Sequence, residues 1–188
     1  RSTAAAVAFE IAGDLYRRTK MTAEAIDVYK KIVRGYPGNP VAIRAQEKII
    51  DIYATDWKVY PNAIKECFEL ARLFPKSKEA GHARFMVGKL YYTANDYDNA
   101  IVAFRDFVTK YPDTEWVPEA YLLMALNYLG KGENESAVKQ LRTMIRKYSK
   151  HELASRAQFL IGYCYLSRQK YYDALREYQK LVAYYPKS

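Results

Sequence analysis

Apolar residues along this chain fall into short clusters with helical spacing, and the clusters come in pairs. Between Ala83 and Pro112 the pattern is cleanest: Ala83, Val87, Gly88 and Tyr91 stand at i, i+4, i+5 and i+8, one stripe of an amphipathic helix. Asn95 and Asp96 interrupt that stripe with turn and N-cap chemistry, and a second stripe follows through Ala100, Phe104, Phe107 and Val108. Tyr111-Pro112 closes it, because proline biases the residue before it away from helical geometry and has no N–H to donate. The pattern predicts two helices joined by a tight turn.

That hairpin recurs along the chain. Tyrosine returns at Tyr16, Tyr53, Tyr91, Tyr128 and Tyr165, and alanine at Ala25, Ala63, Ala100, Ala137 and Ala174; by subtraction the tyrosine spacings are 37, 38, 37 and 37. Self-similarity at this period marks stacked units, none of which can bury its apolar face alone. The expected fold is an all-α, right-handed α-solenoid of five helix-turn-helix repeats, spanning 1–188 as one domain with repeats near 3–37, 40–75, 78–112, 115–149 and 152–186. A position three before each tyrosine is kept small in four of the five copies: Gly13, Gly88, Ala125 and Gly162, with Ile50 as the exception. Glycine costs a helix roughly 1 kcal/mol relative to alanine, so its reuse predicts close crossing by the partner helix. The second repeat carries one extra residue, located by spacing between Tyr53 and Ala63 and assigned to the turn 54–61. Second helices are expected to stop at Tyr36-Pro37, Phe74-Pro75, Tyr111-Pro112 and Tyr185-Pro186, with Tyr148-Ser149 departing from the pattern, and Asn39, Ser77 and Thr114 are expected to cap the helices that follow.

These residues resemble a tetratricopeptide repeat. Gly88, Tyr91, Ala100, Phe104 and Pro112 match its order of small residue, tyrosine, alanine, large apolar residue and proline, and Gly162, Tyr165, Ala174, Tyr178 and Pro186 repeat the match. The period of 37 exceeds the usual repeat length of about 34, with the surplus after the proline. With the lead-ins Phe74-Pro75-Lys76-Ser77 and Tyr111-Pro112-Asp113-Thr114, this resembles the bacterial BamD-like outer-membrane assembly lipoproteins, and the repeats are similar to those of the periplasmic Tol-Pal coordinator family. The resemblance implies a non-enzymatic scaffold organising subunits of a cell-envelope complex, periplasmic or outer-membrane associated, with membrane association only through an anchor outside this sequence or through a partner. A cytoplasmic adaptor or assembly factor and an RNA-binding helical repeat are the alternative classes.

In tetratricopeptide arrays the first helices line a concave groove, and the resemblance places Phe85, Lys89 and Tyr92, then Leu122, Leu126 and Leu129, then Phe159, Tyr163 and Leu166 there as a protein-binding surface. The two upstream repeats place Glu10, Asp14 and Arg17, then Glu47, Asp51 and Ala54 on the equivalent flanks. A groove changing from charged to apolar suggests a docked peptide or helix downstream, while packing against neighbouring helices is the competing reading. Glu10 and Asp14 stand where the chaperone-binding members of the family need a lysine and an asparagine, which argues against capture of an acidic chain terminus.

Composition narrows the remaining classes. The chain has 188 residues, half of them apolar, with a formal charge of +9. No apolar run approaches the roughly 18 residues of a membrane-spanning helix. The charge invites a nucleic-acid partner, but Lys30, Lys31, Arg34, Arg146, Lys147 and Lys150 cluster toward predicted helix C-termini, where cations complement the helix dipole. Cys67 and Cys164 occupy packing positions of different repeats, so no disulfide between them is expected. His82 and His151 stand apart from any metal-ligand spacing and are expected in surface or loop roles. No phosphate loop or nucleophile elbow is present; Gly35-Tyr36-Pro37-Gly38-Asn39-Pro40 is turn punctuation. No catalytic residue, metal or cofactor is expected, and most of the nineteen tyrosines belong to the core. The opening Arg1 and the closing Tyr185-Pro186-Lys187-Ser188, which resembles the lead-in to another repeat, are read as signs of a processed or excised piece whose end exposes apolar surface.

Overall fold

The computed structural model describes residues 2–186. Among them run α1 (Thr3–Arg18), α2 (Thr22–Gly35), α3 (Pro40–Asp51), a π-helical turn (Ile52–Asp56), α4 (Tyr60–Leu73), α5 (Lys78–Thr93), α6 (Tyr97–Lys110), α7 (Val117–Gly130), α8 (Asn134–Lys147), α9 (Leu153–Leu166) and α10 (Tyr171–Tyr184). There is no strand among the described residues, and the fold is all-α and of the tetratricopeptide-like solenoid class. The chain divides into two compact units, Arg1–Leu90 and Tyr91–Ser188. In the first, α1 packs on α2, α2 on α3 and α3 on α4, and the first helices α1 and α3 also meet. The second unit repeats the scheme with α6 through α10, its first helices α7 and α9 meeting in the same way. Within each unit these helices therefore bury their apolar stripes against sequence neighbours, as stacked repeats must.

Inside a hairpin, residue size alternates across the interface. Gly13 faces the ring of Tyr29, and a Cβ built on Gly162 would stand 2.5 Å from a ring carbon of Tyr178. The residue four after the repeat alanine is Tyr29, Cys67, Phe104, Leu141 and Tyr178, against Gly13, Ile50, Gly88, Ala125 and Gly162 on the first helix. A missing side chain on one helix thus stands at the register of an aromatic ring on the other, and the two larger first-helix residues, Ile50 and Ala125, stand opposite Cys67 and Leu141. Close packing explains the glycines at 13 and 162, whereas the exchange of glycine and ring for Ile50 and Cys67 does not fill its space.

Four of the five turns between paired helices share one geometry. Lys20, Asn95, Gly132 and Gln169 adopt positive φ four residues after the repeat tyrosine, and the following N–H donates back to that tyrosine's carbonyl in Met21–Tyr16, Asp96–Tyr91, Glu133–Tyr128 and Lys170–Tyr165. This is the Schellman closure of a helix C-terminus. In the second repeat Lys58 takes the positive φ five residues after Tyr53, and Val59 donates to the Tyr53 carbonyl across six. The extra residue is therefore swallowed by widening the end of the first helix into the π-helical turn Ile52–Asp56, which starts two residues before the turn assigned from spacing.

Second helices stop where expected, and the stop does not need proline. Tyr36, Phe74, Tyr111, Tyr148 and Tyr185 all leave the helix with φ between −127° and −133° and ψ between 43° and 56°, although serine follows Tyr148. Asn39 accepts from the Val41 N–H, Ser77 from that of Ala80 and Asp96 from that of Asn99, three caps of the expected kind. Thr114 does not cap: its hydroxyl donates to the Tyr111 carbonyl at 3.0 Å, and Glu115 and Trp116 intervene before α7 begins. Lys187 and Ser188 lie outside the described residues.

Candidate functional site

The nine expected groove residues separate by burial. Phe85 on α5 is 1% exposed and Leu122 on α7 is 2%, so both side chains are covered within the fold and offer nothing to a partner. Lys89 is half-buried with its ammonium 5.4 Å from the Phe85 ring centroid, and Tyr92, Leu126 and Leu129 are half-buried. Phe159, Tyr163 and Leu166 on α9 are 48%, 48% and 43% exposed. They stand at i, i+4 and i+7, one continuous apolar stripe.

The reason lies in what each first helix meets. The flank that includes Leu122 on α7 belongs to a helix against which α9 packs, and the same flank of α1 meets α3. There the contact is ionic. Glu10 accepts from Arg44 at 2.6 Å and pairs with Lys48 at 3.0 Å; Lys48 also holds Asp14 at 2.7 Å; Arg17 reaches Asp51 at 2.6 Å and Asp56 at 2.8 Å. Of the upstream charges read as a charged stretch of groove, Glu10, Asp14, Arg17 and Asp51 instead form a ladder joining two first helices, and Glu47 stands outside it. Hydrogen bonds from Arg44, opposed by burial and supported by Lys48, hold the Glu10 carboxyl below the ordinary range, and the Arg17 guanidinium does the same to Asp56. Burial and the hydrogen bond to Asp14 at 2.6 Å push the Tyr29 phenol upward.

A second polar device was not anticipated from the pattern. Gln46 donates to the Glu66 carbonyl at 3.2 Å and to its carboxylate at 2.7 Å; Gln158 does the same to Glu177 at 3.0 and 2.9 Å. Each glutamine lies four residues before the small position and each glutamate three after the repeat alanine, so the coincidence of the two pairs in two copies was the available signal. Burial pushes the Glu177 carboxyl up, yet hydrogen bonds from Gln158 and Lys180, with the charge of Arg142, carry it below its ordinary value. The clamps stitch the two helices of a hairpin together in otherwise apolar surroundings.

Cys67 and Cys164 are both buried and unpaired, and burial pushes their thiols up to about 12 and about 11, which suits packing rather than reactivity. His151 accepts from the Leu153 N–H at 3.2 Å ahead of α9, a loop role. His82 is not a loop residue: it sits half-buried on α5. Among the described residues no cluster of three or more His, Cys, Asp or Glu could hold a metal ion, and no helix is long and apolar enough to cross a membrane.

Residues 54–188 match the model of the YfiO family, described as outer membrane lipoprotein. The chain belongs to the YfiO family. Residues 8–39 match a tetratricopeptide repeat model as well. None of the curated proteins compared is significantly similar to the chain. Among solved structures it is similar to MamA protein, with a TM-score of 0.69 and 21% identity over 97% of this chain and 92% of that one. A second MamA structure, residues 41 to the end from Desulfovibrio magneticus RS-1, matches with a TM-score of 0.65 and 15% identity over 95% and 94%. The apo form of RapI matches with a TM-score of 0.73 and 16% identity, over 96% of this chain and 53% of that one. At these identities the likeness establishes the fold alone.

Proposed function

We propose that this YfiO-family protein is a non-enzymatic interaction scaffold of a bacterial cell envelope, acting on the periplasmic side of the outer membrane and docking a helix of another subunit on α9. Family membership supports the setting. The observation that carries the docking surface is the exposed stripe Phe159, Tyr163 and Leu166. On α1 the corresponding flank, Glu10, Asp14 and Arg17, is where the following first helix α3 packs, so on α9 a partner helix meets a flank that the repeat uses for helix packing. Aromatic residues among the three are suited to anchor such a contact. Net charge gives the nucleic-acid reading little support, because Arg17, Arg44, Lys48, Lys131 and Arg168, among other cations, are engaged by carboxylates.

The test is a photo-crosslinking residue at Tyr163, activated in isolated envelopes and in cytosol, with mass spectrometry of the adducts. Adducts with another envelope protein are expected, and Phe159→Glu should reduce their yield at least tenfold without loss of helicity, since it places a carboxylate in a desolvated contact. Adducts only with further residues of the same polypeptide, or only with cytosolic proteins, would overturn the reading.

A further inference from the structure

The first unit contains a cavity that the site on α9 does not explain. It has a volume of about 190 Å³ and is bounded by α3, the π-helical turn, α4 and α5. Its walls are apolar: Ile50, Ala54, Cys67, Leu70, Ala83 and Met86. The polar side chains at its edge are Glu47, Asp51, Thr55, Glu79 and His82. Ile50, Cys67, Leu70 and Ala83 are buried, whereas Glu47, Glu79 and His82 are half-buried and Asp51 and Thr55 exposed, so polarity rises from floor to mouth.

Two features of the repeat make this space. The position that carries an aromatic ring in the first, third and fifth repeats carries Cys67 here, and the π-helical turn draws Ala54 and Thr55 out of regular helical register. The charge at the mouth is acidic and incompletely matched. Asp51 is held by Arg17 at 2.6 Å. Among the described residues neither Glu47 nor Glu79 closes a salt bridge, and the charge of Arg44, which is committed to Glu10, only partly offsets their mutual repulsion.

We infer that this cavity is a receptor for one long basic side chain, lysine or arginine, of a partner protein. The volume is below the roughly 300–1,000 Å³ of pockets that take drug-sized ligands, which fits a single side chain rather than a cofactor. A lysine or arginine has the matching polarity gradient: a methylene stem to cover Ile50, Leu70 and Met86, and a cationic head that stays at the wet rim between the carboxylates of Glu47 and Glu79. An acidic or uncharged apolar side chain would fill the same space and leave the two carboxylates unmatched.

The probes are the acetylated methylamides of lysine, arginine, norleucine and glutamate, titrated into the full chain labelled at the methyl groups of Met86 and Ile50. Saturable methyl shifts are expected with the lysine or arginine probe, at least tenfold tighter than with norleucine and absent with glutamate. Glu47→Gln with Glu79→Gln should remove that tenfold preference. The double variant Ile50→Gly with Cys67→Tyr, which copies the pairing of Gly13 with Tyr29, should fill the space and abolish the shifts while the protein stays folded. Equal binding of norleucine, a basic preference that survives loss of both carboxylates, or no saturable shift with any probe would each overturn the assignment. None of these outcomes depends on the stripe on α9.

Discussion

Gly13→Ala gives the sharpest test of how the repeats are held together, because two physical effects predict opposite signs. Helix propensity favours alanine over an interior glycine by about 1 kcal/mol. The structure opposes it: an added Cβ would meet three atoms of the Tyr29 ring, all within 2.9 Å, closer than real contacts allow. The ring cannot easily retreat, since Tyr29 is 0% exposed and its hydroxyl donates to Asp14 at 2.6 Å. Overpacking of this kind costs about 1–3 kcal/mol, so after the propensity gain a net loss of up to about 2 kcal/mol is expected, a shift of up to several degrees in Tm for a chain of this size. Tyr29→Leu alone should lose about 2–4 kcal/mol by opening a void and removing the hydrogen bond to Asp14. Combined, the two substitutions recreate the alanine and leucine that stand at the same places as Ala125 and Leu141, and the double variant should be at least about 1 kcal/mol more stable than the sum of the singles. Urea denaturation followed by circular dichroism measures all four proteins. A Gly13→Ala variant more stable than the parent, or strict additivity, would refute the complementary-size account.

Acid should loosen the first unit through Glu10. Its folded pKa is depressed, so the stabilisation is fully present above the ordinary glutamate value of 4.5 and is lost as pH falls through the lower folded value; Glu10→Gln should cost about 1–3 kcal/mol at neutral pH and flatten the fall in melting temperature between pH 5 and pH 3, to within roughly the worth of a charged hydrogen bond. The positive-φ turns should respond to glycine in a position-specific way: Gln169→Gly should gain up to about 1 kcal/mol in thermal melts, and Gly132→Ala should lose about 1 kcal/mol, because both residues sit in the left-handed region.

The hairpins were legible because their determinants are local. Tyr16 to Ala25, or Tyr91 to Ala100, spans one turn whose geometry is set by a few residues, and the glycines at positions 13 and 162 signal rings that lie only sixteen residues away. The proposed docking surface was legible in part, for a reason that concerns what lies beyond a single helix. Phe85, Leu122 and Phe159 share one register position, and their chemistry alike says that water is unfavourable for them. Only the presence of a neighbouring helix on that flank decides which of them is covered. The same register position holds Glu10, and there the flank is occupied by Arg44 and Lys48, partners that lie 34 and 38 residues downstream and carry no local signature. The cavity beside Cys67 was hidden for a related reason: the extra residue could be counted from spacing, but whether it lengthens a loop or widens a helix is a choice between backbone hydrogen bonds to the carbonyls of Ile52 and Tyr53. Residues that act through a neighbouring repeat are thus the ones a single repeat's pattern cannot resolve, and in a stacked protein these are the residues that make ladders, pockets and docking stripes.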